Sequence, residues 1–322
     1  MYYNNSKMNN SKMNRLNYSV KILGVNLVSL ALATAAFSQE VNISNPAPTK
    51  MPEIVVTGSP TNNWPGGMKE EQPVGAYGQP DWTTARRFPG TRIYLQQTPW
   101  NVGVEQWVRF QHFRDGSDYT RFQEEIEIGL PHRFQVDVYE TWGINQDWRT
   151  EQDEVSLEVR YALADWGVIP LNPTLYVEYA QHDHDANTLE GKLLLGTDIT
   201  PRWHWGLNLA CEQQLGQPNN TELAASQGLS YTLLDNKLGA GVEMEYYHEK
   251  ATGSPGANVL LIGPSVQWHI TPRIHLDLAP LFGVTHSSST DVPTMEAFFV
   301  LGFDFGTGHK EEHYAPASIR GQ

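Results

Sequence analysis

From Thr91 to Gly306 the chain alternates apolar and polar residues, and the links between these runs are short and long by turns. Phe134, Val136 and Val138 interleave with Gln135, Asp137 and Tyr139. Val155, Leu157 and Val159 interleave with Ser156, Glu158 and Arg160, and Ile274, Leu276 and Leu278 with His275 and Asp277. A period of two gives each strand one apolar and one polar face. Strands are expected near 101–114, 118–130, 133–144, 154–163, 174–183, 188–200, 202–215, 224–234, 237–248, 258–270, 273–286 and 295–306. Short turns fall at Pro131-His132, Pro201, Asp235-Asn236 and Thr271-Pro272, and an apolar link containing Pro170 and Pro173 spans 164–173. The intervening links are polar: RDGSD, NQDWRTEQDE, DHDANT, GQPNNTELAAS, EKATGSPGAN and SSSTDVPT. Tight turns at one end and longer loops at the other are the pattern of a transmembrane barrel. The strands of a soluble periplasmic β-sandwich also alternate, but its links have no reason to take turns in length. The expected fold is therefore all-β, an antiparallel transmembrane β-barrel of about 12 strands over residues 91–306. An even strand number leaves both termini in the periplasm and the barrel in the outer membrane of a Gram-negative-type cell.

Composition narrows the function. The chain of 322 residues carries 22 Lys+Arg against 36 Asp+Glu, a net charge of −14, which argues against a nucleic-acid partner. With 18% charged residues it is no bundle of membrane helices. Cys211 is the sole cysteine, so neither an intrachain disulfide nor a thiolate metal cluster is expected. No HExxH, Gly-rich phosphate loop or nucleophile elbow occurs, and no cofactor is expected.

Residues 1–38 read as a leader and secretory signal peptide. Lys7, Lys12, Arg15 and Lys21 precede the apolar run Ile22 to Ala36, and Ala36-Phe37-Ser38 offers a cleavage site before Gln39. Residues 39–90 are rich in Pro and Gly, without an apolar period beyond Ile54-Val55-Val56, and read as a periplasmic extension lacking its own core. Its end would bring Trp82, Phe88, Ile93 and Tyr94 to the periplasmic rim of the barrel. Arg86, Arg87 and Arg92 would then face an acidic lumen mouth near Asp198, Asp277 or Asp304. Residues 307–322 form a polar tail.

By parity the polar face lines the lumen. It would carry Glu105, Glu125, Glu127, Asp137, Glu158, Glu178, Glu212, Glu243, Glu245 and Asp277 against Arg109, Arg121, Arg160 and Lys192. Glu190, Asp198 and Asp304 add acid, and His182, His204, His269 and His275 are titratable. An acidic pore of this width would favour cations or small neutral solutes. The alternative is a plugged, structural barrel in which Arg109, Arg121 and Arg160 bridge the carboxylates. Trp203, Trp205, Trp268, Tyr161, Trp166 and Tyr231 fall near the short turns, where an interfacial aromatic belt would meet the membrane lipid.

Two loops contain residues capable of other chemistry. His182 and His184, with Asp183 and Asp185, could hold a divalent metal, or be solvated loop residues. His286 and Ser288 resemble the catalytic pair of outer-membrane acyl hydrolases, in which the histidine would deprotonate the serine for attack on a lipid ester. The pattern there continues with Asn where this chain has Ser289, and the same stretch reads as a polar loop, so the expectation is a protein that is not an enzyme.

Three further resemblances complete the reading. Pro52 to Pro60, PEIVVTGSP, resembles the TonB box of TonB-dependent receptors, which implies a TonB-like partner bound by strand addition through Glu53–Gly58. The chain is too short for such a receptor's plug and 22-stranded barrel, and Ile54-Val55-Val56 can equally be a sticky patch. ITPRWHWGLN (Ile199–Asn208), LGAGVEMEYY (Leu238–Tyr247) and the Phe-ended last strand resemble small outer-membrane transporters of the phenol-degradation pathway type. The last strand, Ala297 to Phe305, also resembles the C-terminal signal read by the barrel-assembly machinery, although a polar tail follows it here.

Overall fold

The computed structural model describes residues 67–306 except 146, 148, 184, 217–219, 251–256 and 286–291. The TonB-box-like peptide, the signal peptide, the tail, His184, His286 and Ser288 lie outside the described residues. A two-residue ladder joins β1 (Pro73–Val74) to β2 (Gln79–Pro80). Twelve strands follow: β3 (Val102–Phe113), β4 (Asp118–Leu130), β5 (Phe134–Asn145), β6 (Thr150–Ala162), β7 (Thr174–His182) and β8 (Thr188–Thr200). They continue as β9 (Trp203–Gln214), β10 (Thr221–Leu234), β11 (Leu238–Lys250), β12 (Ala257–Thr271), β13 (Ile274–Gly283) and β14 (Pro293–Phe305). Each is antiparallel to its neighbours, and β14 pairs with β3 to close the barrel. Phe305 lies opposite Val102, so the barrel begins and ends at the same rim.

That rim, the turn end, carries the links 131–133, 163–173, 201–202, 235–237 and 272–273. His132 and Arg133 both adopt positive φ, +62° and +65°, as a tight primed hairpin turn requires, and Asn236 does so at +51°. The link 163–173 is long because it folds against residues inside the barrel. The Trp166 N–H donates to the Tyr77 carbonyl, and the Tyr94 hydroxyl to the Ala164 carbonyl at 2.8 Å.

The alternation is an inside-out one. On β7, Thr174, Tyr176, Glu178 and Ala180 are buried while Leu175, Val177 and Tyr179 are exposed. Around the barrel Leu157, Leu209, Leu223, Val242, Phe282 and Phe299 stand outside, and Glu125, Glu127, Asp137, Glu158 and Glu243 are fully buried within. Charged groups are seldom fully buried unless paired, and a face of exposed aliphatics belongs against lipid. At the turn end Trp203 and Trp268 stay exposed, and Trp203 packs on Tyr231 with ring centroids 4.9 Å apart. Trp166 departs from the expected belt: it turns inward and meets Trp82 and Tyr94 edge-on.

The first barrel strand begins at Val102, and residues 67–101 form one segment that enters the lumen from the turn end, bends at Pro89-Gly90 and returns to the turn end. Instead of meeting the rim, Trp82, Phe88, Tyr94 and Leu95 are buried and cluster with Tyr77, Ile93 and Ala162. An apolar cluster of this size cannot be read from period, because its partners lie on the barrel wall rather than on its own chain.

Candidate functional site

The segment is held by polar side chains that pair its backbone. At its entrance the N–H groups of Lys69 and Glu70 donate to the Asp235 carboxylate at 2.9 and 3.1 Å. At its tip the Gly90 N–H donates to Glu243 Oε2 at 2.8 Å. On the return arm Asn208 grips Arg92 twice, accepting from its N–H at 2.8 Å and donating to its carbonyl at 2.7 Å. Gln135 Oε1 accepts from the N–H groups of Gln96 and Gln97 at 2.8 and 2.9 Å. Buried backbone needs such partners, and here the lumen wall supplies them.

The wall also yields space where the segment passes. Gly196 pairs with Gly206 across β8–β9, and Gly206 with Gly228 across β9–β10, which makes a row of three glycines. A Cβ on Gly196 would collide with Ile93, and one on Gly228 with the Phe88 ring. The row is a trough that receives these two side chains.

Charge completes the fit. Arg86, buried, sets its Nη2 2.6 Å from Glu105, 3.4 Å from Glu127 and 4.0 Å from Glu125, with its guanidinium 4.2 Å above the Trp107 ring. Arg87 donates to Ser230 at 2.6 Å, Thr232 at 2.7 Å and Gln267 at 3.1 Å, and lies 3.5 Å from Glu70. Arg92 approaches Glu125 at 2.9 Å and Glu127 and Glu158 at 3.6 Å. Sequence reading brought the three arginines to an acidic mouth at Asp198, Asp277 or Asp304. Arg86 and Arg92 sit deeper, on Glu105, Glu125, Glu127 and Glu158, while Arg87 is held by Glu70, Ser230, Thr232 and Gln267.

Of the positions expected to line the lumen, Glu105, Glu125, Glu127, Asp137, Glu158, Arg160, Glu178, Glu243 and Asp277 are buried. Arg160 bonds Glu158 and Asp137, Arg109 bonds Glu296, Arg121 bonds Glu154, and Lys192 lies 2.6 Å from Glu190. The Tyr176 hydroxyl donates to Glu178, and His275 lies 2.6 Å from Asp277. His204 is buried between Asp198 at 2.8 Å and Glu70 at 3.0 Å and stacks against Trp82, an arrangement that sequence alone did not reveal. His182 turns its Nδ1 to Glu154 at 3.4 Å and its Nε2 to Thr188 at 3.2 Å. Carboxylate groups close enough to share a cation occur at Glu105–Glu125–Glu127 and Glu125–Asp137–Glu158, and guanidinium groups already stand among both.

What space remains lies toward the loop end. Among the segment's own residues, between Trp82 and Gln96, there is about 10 Å³, room for a single water. Above the tip a vestibule of about 300 Å³ is floored by Pro89, Gly90 and Arg92. Its walls include Trp107, Arg109, Tyr176, Glu178, Glu190, Lys192, Glu212, Glu222, Glu245 and Phe298.

No protein-family model matches the sequence, and no curated protein matches it. Solved structures of small outer-membrane barrels do resemble the fold. An outer membrane channel from Pseudomonas putida F1 superimposes with a TM-score of 0.50 at 8% identity, over 66% of this chain and 98% of that one. The NanC porin gives 0.45 at 13% identity over 63% and 98%, and the KdgM porin 0.44 at 10% identity over 64% and 99%. The fold is that of an outer-membrane β-barrel.

Proposed function

We propose that this chain is an outer-membrane channel for cations or small neutral solutes, closed by its own residues 67–101. The apolar exterior would lie in the membrane with the turn end in the periplasm, where both termini would then be. The observation that carries this reading is the re-entrant segment, which fills the turn-end half of an otherwise polar, acidic lumen. A barrel that needed only stability could fill its interior with wall side chains, as eight-stranded barrels do. Twelve strands enclose more, and here the extra space is taken by a separate, glycine-seated insert. The selectivity follows from the wall, whose inward carboxylates outnumber its bases once the arginines of the segment are withdrawn. The resemblance to phenol-degradation transporters enters at the level of transport alone.

The test is single-channel recording in planar bilayers on the wild type and on Gly228→Leu. A leucine at 228 takes the place of the Phe88 ring without altering any charge. The wild type is expected to conduct rarely and the variant several-fold more, with a reversal potential favouring cations. Silence in both, or equal conductance in both, overturns the closed-channel reading.

A further inference from the structure

Seven carboxylates stand side by side on seven consecutive strands. Glu127 of β4 pairs with Asp137 of β5, Asp137 with Glu158 of β6, and Glu158 with Glu178 of β7. Glu178 then pairs with Glu190 of β8, Glu190 with Glu212 of β9, and Glu212 with Glu222 of β10. Strands in a closed barrel are staggered, so the row climbs as it goes round. Glu127 and Asp137 are each fourth from the turn end of their strands, while Glu212 is third and Glu222 second from the loop end. Like charges directly opposite each other across strands repel. A continuous row of ionised carboxylates is favourable only with cations laid along it.

The lower part of the row has its cations, Arg92 and Arg160. The upper part opens on the vestibule. There Lys192 holds Glu190, and among the described residues no ion pair within 4.0 Å holds Glu178 or Glu212. Beside the vestibule floor the fully buried Glu243 keeps one oxygen, Oε1, that accepts no hydrogen bond while its other oxygen binds the tip, and Glu158 Oε2, on the row itself, has Arg92 at 3.6 Å but accepts no hydrogen bond.

The wall displays its manner of holding a cation three times. Arg86 lies between Glu105 and the face of Trp107; Arg92 lies between Glu125 and the same ring, 5.7 Å away; Lys192 lies between Glu190 and Tyr176, 4.4 Å from the ring centroid. An aromatic face opposite a carboxylate suits an organic cation. Small divalent metals instead demand converging oxygens and retained water. Adjacent strands are about 4.8 Å apart, and two amino groups separated by three or four methylenes lie roughly 5–6 Å apart, given C–C bonds of about 1.5 Å. The spacing of the row matches such a chain.

We infer that the vestibule and the climbing carboxylate row bind a linear organic polyamine, which competes with Arg92 for its carboxylates. The inference rests on the channel reading for the ligand's route, and deepens it by naming the class of solute. Arg92 is then the resident stand-in for the ligand, and binding at the row loosens the return arm of the segment.

Calorimetric titration of the refolded full chain in zwitterionic detergent, with spermidine as the probe, tests this without requiring conduction. Saturable binding is expected, at least tenfold tighter than magnesium at equal ionic strength. Glu178→Gln with Glu212→Gln should weaken spermidine at least tenfold, and Arg92→Ala should tighten it several-fold by removing the competitor. Should the double variant not fold, as judged by its gel mobility, Glu212→Gln alone carries the same expectation at a half-buried position. Absent binding, equal affinity for magnesium, or indifference to the carboxylate substitutions overturns the site; unchanged or weaker affinity in Arg92→Ala overturns the competition. Spermidine binding by a barrel that never conducts would remove the channel and keep the site, and the converse would do the reverse.

Discussion

Glu70 and Glu71 are neighbours in one short turn at the barrel mouth and are pushed in opposite directions. Burial raises Glu70, but the His204 hydrogen bond, Arg87 and Thr232 outweigh it and hold this carboxyl below its ordinary value. Glu71 is pushed up to about 8 by burial first, then by Asp198 and Glu70, against a pull from Arg87, with Asp235 adding the least. His204 Nδ1, 3.7 Å away, completes its surroundings. A group whose folded pKa exceeds its unfolded value of 4.5 supports the docked turn fully below 4.5, and that support is lost as pH rises through about 8. The docked turn should therefore loosen between pH 5 and pH 8. Its side chain is 21% exposed, so the expected effect is about tenfold in the opening equilibrium, well short of the full shift. Limited proteolysis at Lys69 across that range checks it; Glu71→Gln should be nearly pH-independent. A second residue-scale expectation concerns Arg160, which is buried between Asp137 and Glu158. Arg160→Leu strands both carboxylates and should cost roughly 3–5 kcal/mol in urea unfolding. A loss under 1 kcal/mol would show the pair to be neutral without its guanidinium.

At the scale of elements, the strands were legible because each satisfies one rule: apolar out, polar in, with turn residues between. The strand Asp118–Leu130 coincides with its expected bounds, while β6 starts at Thr150, four residues before expectation, because Thr150 pairs with Ile144 beyond a bulge. Glu125, Glu127, Asp137 and Glu158, expected in the lumen by parity, are among the fully buried residues. The inserted segment was illegible as structure, since Trp82, Phe88, Ile93 and Leu95 follow no period of their own and pack on glycines and on Ala162 far along the chain. The signal was present in another form. RWHWGLN and LGAGVEMEYY, which read as barrel pattern, contain His204, Gly206 and Asn208, and Gly239 and Glu243, all of which touch the segment. An inward glycine on a strand marks close approach by another chain, and three such glycines on neighbouring strands mark a trough. Asn208→Ala should leave the Arg92 N–H and C=O buried without partners, at a cost of about 1–3 kcal/mol. Hydrogen exchange at residues 88–95 should then quicken by roughly tenfold or more, while β3 to β14 keep their protection. Equal acceleration throughout would mean that the segment and the barrel unfold as one unit.

The whole molecule is an acidic barrel built around its own basic insert, and assembly and closure should therefore separate along the chain. An outer-membrane barrel of this kind should migrate differently on denaturing gels before and after boiling, because strand closure resists detergent until heated. Deleting residues 39–66 removes none of the described contacts and should leave both that gel shift and the low conductance intact. Deleting 67–97 is another matter. It withdraws Arg86, Arg87 and Arg92 together, takes the guanidinium partners from Glu105 and Glu125, and leaves Glu127 and Glu158 with Arg160 alone. Water entering the vacated space offsets part of this, and the carboxylates repel one another across the wall for the rest. The shortened chain should fold in lower yield at pH 8 than at pH 5, where more of the wall is neutral, and raised ionic strength should recover part of the loss by screening. Once folded it should conduct steadily and prefer cations more strongly than Gly228→Leu, which keeps its arginines. Equal folding yields at the two pH values, with conductance no higher than wild type, would mean that the wall is self-sufficient in charge and that the segment is not what closes it.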